Sequence, residues 1–302
     1  MGNLPKISVV TACYNMENYI EDTINSVLSQ NYPNLEYIIV DGASTDHTLD
    51  IINKYKDKIS LIISEKDNGM YDAINKGFRH ATGEIYAWIN ADDTYFPWTF
   101  KVIGRLFAEH KSVQWAIGQT SFMIEQRQLN KIFNFNCSYD QNYIAKGWHR
   151  DGVLGPLQQE SMFWRRELWE KVNGLDINYK LAADFELWTR FAKYSSLTTV
   201  ALPLAAFYIR SDSLSHGSDT SKKYLSEVDD ICLKLHSGFP NILFKYFGKN
   251  MLINRLLRLF IWKKTALYSF SMNKKKWILK YIWRTVSNTT LSYLWLEWKL
   301  SK

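Results

Sequence analysis

The sequence predicts an α/β fold with a mostly parallel central sheet, helices on both faces, and a basic, aromatic, helical C-terminal extension. Short β-branched apolar runs alternate with segments of helical periodicity, and the connections between them are short, which is typical of a parallel sheet. Charge defines the extension: residues 243–302 contain 13 Lys and Arg and one acid, whereas residues 1–242 contain 24 bases and 29 acids. We therefore expect a body over residues 1–220 and a basic helical tail over residues 221–302.

Composition is that of a globular protein. The chain has 302 residues, of which 46% are hydrophobic and 22% charged, so it can bury a sizeable core and is not disordered as a whole. Its 3 Cys residues have neither metal-ligand nor redox spacing, which favours a reducing compartment. Neither a secretory signal nor an apolar run long enough to span a membrane is evident, so we expect a cytoplasmic protein.

Five segments at the start of the chain predict the first sheet units. Buried strands are expected at 7–12, 35–40 and 59–63, with amphipathic helices at 17–30 and 48–55 between them. Further along, the same criteria predict helices at 72–81, 97–110 and 185–194, and strands at 84–89, 113–119 and 198–210. Residues 120–150 show no clear period and receive no firm assignment.

Two of these strands end on acidic residues. Asp41 follows the second strand, and Asp92 and Asp93 follow the strand at 84–89. Ligands of open α/β sheets bind beyond the carboxyl ends of the strands, where paired carboxylates suit a divalent cation. Turn or helix-cap chemistry is the alternative for Asp41, and the Asp-Asp pair before Thr94 is also compatible with a solvated turn.

The helix expected at 72–81 begins on the same side of the sheet. Its polar face carries Asp72, Asn75 and Lys76, and a lysine beside a helix N-terminus suits a phosphate group. A merely solvated face is the other interpretation.

Four motifs in this order resemble those of the family 2 glycosyltransferases, enzymes with the nucleotide-sugar-binding fold called GT-A. They are SVVTACYN, LEYIIVDGASTD, DNGMYDAINKG with ATGE after it, and WINADD. The likeness covers roughly residues 5–212 and is closest to bacterial enzymes that build capsule, colanic-acid-like and lipopolysaccharide polymers. It implies a nucleotide-sugar half over about 1–110 and an acceptor half over about 111–220.

The resemblance also implies roles for individual residues. The nucleotide-sugar ligands would be Thr11, Ala12, Tyr14, Asn15, Asp41, Asp72, Asn75, Lys76, Asn90 and Asp92. Among these, Tyr14 would stack on the base and Asp41 would accept from a base N–H. Asp93, with Asp92 sharing, would coordinate Mn²⁺ or Mg²⁺ against the diphosphate; Asn90 stands where many relatives have Asp.

A general base is expected in the later motif ADFELW. Asp184 occupies that place, although Ala183 departs from the acid that often precedes it in relatives. Asp184 is equally suited to be the N-cap of the helix at 185–194, and Glu186 is the weaker alternative base. Acceptor-side or loop candidates are Gln158, Gln159, Arg210 and His216.

Together these features predict an inverting, metal-dependent transferase. It would move a sugar, most simply from a UDP-sugar, to a hydroxyl of a lipid-linked or oligosaccharide acceptor in cell-surface polysaccharide synthesis. The alternative is a non-catalytic binding or assembly protein that keeps the fold. A nucleotidyltransferase or phosphatase lacks support, because neither a P-loop nor an early strand-end DxD nucleophile is present.

The extension predicts basic amphipathic helices around 251–264 and 277–284, rich in Trp and Leu. Such helices suit an anionic membrane surface, and we expect residues 243–302 to hold the protein on the cytoplasmic face of the bacterial inner membrane. Packing on the body, a homo-oligomer contact and nucleic-acid binding are the alternatives, of which nucleic acid is not expected.

Overall fold

A computed structural model describes residues 4–124, 128–132, 139–150, 154–209, 218–235, 262–271, 274 and 276–285. In chain order its strands are β1 (Ile7–Cys13), β2 (Leu35–Asp41), β3 (Leu61–Ser64), β4 (Ile85–Trp88), β5 (Thr94–Tyr95), β6 (Trp115–Gln119), β7 (Ser121–Ile124), β8 (Gln128–Ile132), β9 (Met162–Arg165), β10 (Thr198–Pro203), β11 (Ala205–Tyr208), β12 (Trp262–Ser271) and β13 (Lys276–Thr285). The helices are α1 (Ile20–Leu28), α2 (Thr48–Asn53), α3 (Met70–His80), α4 (Thr99–Glu109), α5 (Gln141–Ala145), α6 (Arg166–Val172), α7 (Ala183–Phe191) and α8 (Ser218–Leu235).

Nine strands form the central sheet, in the order β13-β12-β10-β6-β9-β4-β1-β2-β3. Pairing is parallel along β3-β2-β1-β4 and along β6-β10-β12, whereas β9 and β13 run antiparallel to their neighbours. A small second sheet has the order β5-β11-β7-β8. The predicted mostly parallel sheet is therefore confirmed, and its strands lie where the apolar, β-branched runs placed them.

Each face of the central sheet carries its own core. On one face, Ile20, Ile24 and Val27 of α1 pack with the apolar side of α4; on the other, Ile74 and Phe78 of α3 pack with α6, α7 and α8. Alternate residues of the strands supply both cores, as the period of a strand requires. Helices on both faces are thus also confirmed.

An aromatic stack fills the second core and ties two parts of the chain together. The indole of Trp88, the last residue of β4, lies parallel to that of Trp188 on α7, with ring centroids 5.6 Å apart. Trp164 contacts both of them edge-on, at 5.2 and 5.8 Å. Stacked and edge-to-face pairs of this kind are favourable beyond the area they bury, so the end of β4 and the start of α7 are held in register.

The start of α7 corrects one alternative from the sequence. Helix α7 begins at Ala183 with Ala182 as its N-cap, so Asp184 lies in the first turn and is not the cap. The segment that leads into the helix is fixed from elsewhere: the carboxylate of Glu227 on α8 accepts from the backbone N–H groups of residues 180–182, each at 2.9 Å. Glu227 thereby holds the start of α7 against α8.

The sequence predicted a helical extension, but the extension is helical only in part. Helix α8 crosses the expected boundary at residue 220 and places Val228 and Ile231 in the same core as α7. Residues 262–271 and 276–285, in contrast, are the antiparallel strands β12 and β13, and β12 extends the central sheet beside β10.

The helix prediction for these segments failed because their Trp, Tyr, Ile and Thr residues also favour strands. Pairing with β10 then decides the outcome, since it buries Tyr268 completely, with its ring stacked on Trp277 at 5.1 Å. Of the basic segment expected to be helical, residues 251–261 lie outside the described residues. No helix within the described ranges is long and apolar enough to cross a membrane.

Candidate active site

The carboxyl ends of β1, β2, β3 and β4 meet at one edge of the sheet. The register pairs Cys13 with Asp41 and Asp41 with Ser64, so three successive loops leave the sheet side by side. We call residues 14–15, 41–46 and 64–69 the donor-side loops. They form the edge at which an open α/β sheet binds its ligand.

Asp41 is fully buried beneath these loops. Its carboxylate accepts from the backbone N–H and hydroxyl of Ser44 and, at 2.7 Å, from the hydroxyl of Ser64. These contacts are those of the turn interpretation: Asp41 fixes the path of the loop after β2 and links it to the end of β3.

Tyr14 has the most accessible ring of the donor-side loops, with 56% of the residue exposed. Gly42 lies beneath it, and a Cβ there would come within 2.6 Å of the Asp67 carboxylate and 3.4 Å of the Tyr14 ring. A glycine at this position therefore allows the Asp67 carboxylate to approach the turn as closely as it does, whereas the distance to Tyr14 is an ordinary contact.

The other expected donor-side residues mostly contact protein groups. Thr11 is buried and its hydroxyl lies 3.1 Å from that of Tyr37, so its side chain faces the interior. Ala12 is partly buried and packs against the core on the α3 face. Asn15, at a φ of 53°, accepts from the Thr45 N–H at 2.9 Å and so joins two of the loops.

The polar residues of α3 are likewise engaged. Asp72 accepts from the Asn68 N–H at 3.0 Å, and Asn75 exchanges two hydrogen bonds with the backbone of Leu175. Lys76 donates to Glu65 at 2.9 Å and lies 3.7 Å from Asp72. The structure thus gives these three residues partners that stabilise the loop before α3 and the turn after α6.

The segment Asn90–Asp93 follows β4, and its two acids differ in how deeply they are buried. Asp93 is fully buried, where its carboxylate accepts from the backbone N–H of Tyr208 at 2.9 Å and from the Asn90 amide at 3.1 Å. Asp92 is only partly buried. Asp92 therefore has the more accessible carboxylate, whereas the sequence analysis assigned the metal chiefly to Asp93.

Burial raises the pKa of Asp93 well above its usual value, and the neighbouring charges of Asp92 and Glu160 raise it further. Like charges close together in a poorly solvated place oppose ionisation. A divalent cation would offset that repulsion, so these acids fit one. Within the described residues, no group of three or more His, Cys, Asp and Glu side chains is arranged to hold a metal alone.

Asp184 is partly exposed on the first turn of α7. The hydroxyl of Tyr71 on α3 donates to its Oδ1 at 3.2 Å and to the carbonyl of Leu181 at 3.0 Å. Burial raises the pKa of Asp184, while hydrogen bonds from the Phe185 backbone and from Tyr71 limit the rise. Glu186, the weaker alternative, is paired with Arg190 at 2.6 Å.

Glu160 was not anticipated from the sequence. It lies in a short 3-10 turn, Gln159–Ser161, is 3% exposed, and has a pKa that burial raises to about 8, with Asp92 and Asp184 adding to the effect. We call Asp92, Asp93, Glu160 and Asp184 the carboxyl cluster. The sequence analysis named Asp92, Asp93 and Asp184, but Glu160 comes from a separate segment that sequence spacing does not connect to them.

The remaining candidates have supporting contacts or lie outside the described residues. Gln158 bridges the N–H and carbonyl of Ser121, and Gln159 donates to the carbonyl of Trp88 at 2.8 Å. Both tie the turn that carries Glu160 to neighbouring strands. Arg210 and His216 are outside the part of the chain that the structure describes.

Tyr71 and Glu227 are the other residues that the sequence analysis missed. Tyr71 had a weak signal, since it lies inside the motif DNGMYDAINKG. Glu227 had none, because its partners are about 45 residues away in sequence and only the packing of α8 on α7 brings them together.

The chain is similar in sequence to several proteins that are named as glycosyltransferases. A glycosyltransferase of Haemophilus influenzae that is itself uncharacterised is 26% identical over 247 residues, which are 78% of this chain and 73% of that protein. A Bacillus subtilis protein named for teichuronic acid biosynthesis, TuaG, is 42% identical over 94 residues, which are 30% of this chain and 37% of that protein.

Among solved structures, residues 1–349 of S. aureus TarS in complex with UDP-GlcNAc match with a TM-score of 0.59 and 20% sequence identity, over 80% of this chain and 73% of that chain. This likeness shows the fold, which is GT-A. The model of the family described as glycosyl transferase family 2 matches residues 8–168, more than half of the chain. The chain therefore belongs to glycosyltransferase family 2.

Proposed function

We propose that the protein is an inverting, metal-dependent glycosyltransferase. It transfers a sugar from a nucleoside diphosphate, UDP in the simplest case, to a hydroxyl of a lipid-linked or oligosaccharide acceptor in cell-surface polysaccharide synthesis. The observation that carries the proposal is Asp184: a partly exposed carboxylate, oriented by Tyr71, on a helix locked in register with the end of β4.

Asp184 acts as the general base. It takes the proton of the acceptor hydroxyl as that oxygen bonds to the anomeric carbon from the side opposite the diphosphate. The bond between the anomeric carbon and the diphosphate oxygen breaks with its electron pair remaining on the leaving group. The raised pKa of Asp184 suits this role, because it brings the carboxylate closer to the pH at which a base is both ionised and able to hold a proton.

Asp92 and Asp93 would hold the divalent cation, with Asp92 supplying the more accessible carboxylate. Mg²⁺ in nucleotide sites takes one or two carboxylates and completes its shell with phosphate oxygens and water, and this pair fits that number. When bound, Mn²⁺ or Mg²⁺ neutralises charge that develops on the leaving diphosphate.

The donor-side loops receive the nucleotide. Tyr14 presents an exposed ring for stacking on the base, and Asp41 keeps the floor of the base pocket in place through Ser44 and Ser64. A UDP-sugar donor is supported by the complex of TarS with UDP-GlcNAc, and a cell-surface polymer by the name of TuaG.

The basic extension attaches the enzyme to an anionic membrane surface. Lys274 and Lys276, at and just after the turn between β12 and β13, are exposed, and each cation near an anionic surface contributes about 1 kcal/mol of attraction. Removing the whole extension is a poor test, because Tyr268 of β12 is buried in the core.

The base assignment is tested with Asp184→Asn. Transfer to acceptor should fall at least about a thousandfold, while UDP binding by calorimetry stays within twofold, because the amide keeps the shape but cannot take a proton. Glu186→Gln, on the same helix, is the matched control and should keep transfer. Turnover by Asp184→Asn comparable to that of the control would exclude Asp184 as the base.

Donor and metal are tested together by thermal shift. UDP-, GDP- and dTDP-sugars are compared with and without Mn²⁺, because only a ligand that binds the folded state raises Tm. Activity should disappear in EDTA and return with Mn²⁺ or Mg²⁺. Transfer that is indifferent to EDTA would exclude the metal, and measurable transfer of any kind would exclude a non-catalytic binding protein.

Membrane attachment is tested with the double variant Lys274→Glu/Lys276→Glu and vesicles of phosphatidylglycerol or phosphatidylcholine. The native protein should co-sediment with the anionic vesicles only, and the variant several-fold less. Exposed Lys56→Glu/Lys58→Glu is the control of equal charge change. Equal sedimentation of both double variants would contradict the assignment to the extension.

A further inference from the structure

Glu160 is a buried acid for which the proposed reaction has no role so far. Only 3% of the residue is exposed, and within the described part of the chain its Oε1 has no hydrogen-bond partner. A carboxyl oxygen withdrawn from water without a partner costs stability. The side chain is nevertheless held there, because Gln159 anchors its turn to the carbonyl of Trp88 and Gln158 anchors it to Ser121.

The turn that carries Glu160 lies at the end of β4, because Gln159 donates to the carbonyl of Trp88. The same turn contacts β5, which directly follows Asp93, and β11, whose Tyr208 N–H donates to Asp93. Since Trp88 is stacked on Trp188 of α7, Glu160 lies beside the acids that follow β4, at the strand end against which α7 packs. In the proposed function the diphosphate is bound at the acids that follow β4 and the acceptor hydroxyl at the acid at the start of α7.

The group that lies between a diphosphate and an acceptor hydroxyl is the transferred sugar. We propose, on the basis of the proposed function, that Glu160 is a specificity-determining residue whose unpartnered oxygen hydrogen-bonds a hydroxyl of the transferred sugar. The sugar supplies the partner that the protein does not. A buried polar group that only a matching hydroxyl satisfies discriminates strongly against sugars that lack it.

Hydrogen bonding fits Glu160 better than binding of the metal does. Its carboxyl accepts from a sugar hydroxyl when ionised and also donates when protonated, so it can pair with the sugar in either form. A metal ligand has to be reached by the cation, and Asp92 is more accessible than Glu160, of which only 3% is exposed.

The test separates the sugar from the nucleotide. Calorimetry with Mn²⁺ measures Kd for UDP and for UDP-glucose, UDP-galactose and UDP-GlcNAc in the full-length wild type, Glu160→Leu and Glu160→Gln. The best UDP-sugar should bind the wild type more tightly than UDP does. In Glu160→Leu that gain should fall about tenfold or more, as expected for one buried hydrogen bond, while Kd for UDP stays within twofold. The discrimination between glucose and galactose, which differ in the configuration of the C4 hydroxyl, should shrink if that hydroxyl is the one contacted. The comparison of glucose with GlcNAc, which carries an acetamido group in place of the C2 hydroxyl, reports on C2.

Controls distinguish this role from a structural one. Exposed Glu167→Gln carries the same chemical change nearby and should keep every Kd. Both Glu160 variants should melt at or above the wild-type temperature, and Glu160→Gln, which keeps two polar atoms, should retain part of the sugar gain. If Glu160→Leu does not fold, the comparison of wild type with Glu160→Gln still decides the outcome.

The outcomes are separable. A sugar gain that is the same in wild type and Glu160 variants, including no gain in either, overturns the role of Glu160 and leaves nucleotide binding intact. A loss of UDP affinity together with a lower Tm also overturns it, in favour of a structural role. Failure of the wild type to bind either UDP or any UDP-sugar overturns a UDP-sugar function and this inference with it.

Discussion

The donor-side loops and the carboxyl cluster lie at the same side of the central sheet, but their acids are paired in opposite ways. Asp41 has two serines donating to its carboxylate, and Asn15 and Lys76, which were also expected to bind the donor, have protein partners as well. In the cluster, Asp93 and Glu160 repel each other in a buried place, and Glu160 has an oxygen without a partner within the described chain.

The difference separates acids that stabilise the structure of the site from acids that are available to bind a ligand. Acids that are fully paired stabilise the loops around them, whereas acids that are crowded or unpaired lower stability and retain the capacity to bind a ligand. Removing an acid should consequently have opposite effects on stability in the two regions. The following predictions test that contrast, beginning with the largest expected effect.

Asp41→Ala should be the most destabilising of these changes. It leaves the Ser44 N–H and the hydroxyls of Ser44 and Ser64 without their acceptor at a fully buried position. We expect the free energy of unfolding to fall by about 3 kcal/mol, measured by denaturant titration. Asp57→Ala, at an exposed position, is the control and should stay within about 0.5 kcal/mol. A loss at Asp41 no larger than at Asp57 would remove the distinction between the two regions.

Glu36 is a paired acid whose contribution to stability should depend on pH. Burial opposes its ionisation, but hydrogen bonds from Lys6, Ser8 and Thr82 outweigh that effect and lower its pKa from 4.5 to about 2. Its stabilising contribution is therefore complete above pH 4.5 and is lost as the pH falls toward 2.

Glu36→Gln should accordingly be less stable than the wild type by about 2 kcal/mol at pH 7, with the gap narrowing below pH 4.5. Chemical denaturation at several pH values measures it. A gap that does not change with pH would show that the loss comes from packing and not from charge.

The fold and the first half of the site were predictable because their signals are local. The alternation of strands and helices, and the acids at the ends of β2 and β4, can be seen within windows of about ten residues. Asp184 was placed on the correct helix for the same reason, although the helix begins at Ala183, two residues earlier than the expected start at residue 185.

The rest depends on contacts between distant segments. Glu160, Tyr71 and Glu227 acquire their meaning only when the turn before β9, the start of α3 and α8 converge on α7. The strands β12 and β13 likewise depend on the free edge of β10. Local sequence carries no record of such partners, so tertiary pairing overrides local preference.

Glu160→Gln should have the opposite pH dependence from Glu36→Gln. Burial raises the pKa of Glu160 to about 8, whereas in the unfolded chain it titrates near 4.5. The folded wild type therefore loses stability as the pH rises from 4.5 through 8, and the amide variant does not. The advantage of the variant over the wild type should therefore grow steadily between pH 4.5 and 8 and vanish below pH 4.5, as measured by chemical denaturation at several pH values. A variant that is less stable at pH 8.5 would place Glu160 among the fully paired acids.

Tyr71→Phe should have the smallest effect, and it tests whether the Tyr71 hydroxyl only positions Asp184 or also changes the pKa of that acid. The Tyr71 hydroxyl donates to Asp184 and to the Leu181 carbonyl, so it both positions the base and stabilises its ionised form. Without it the pKa of Asp184 rises, and the acid limb of the kcat profile should move to higher pH. At pH 7 we expect kcat to fall about fivefold, equivalent to one modest hydrogen bond, with KM for the donor unchanged.

Tyr55→Phe, which removes a surface hydrogen bond to Glu21, is the control and should leave the profile in place. If Tyr71→Phe lowers kcat equally at every pH, the hydroxyl only positions Asp184; if KM for the donor rises instead, Tyr71 belongs functionally with the donor-side loops and not with the carboxyl cluster.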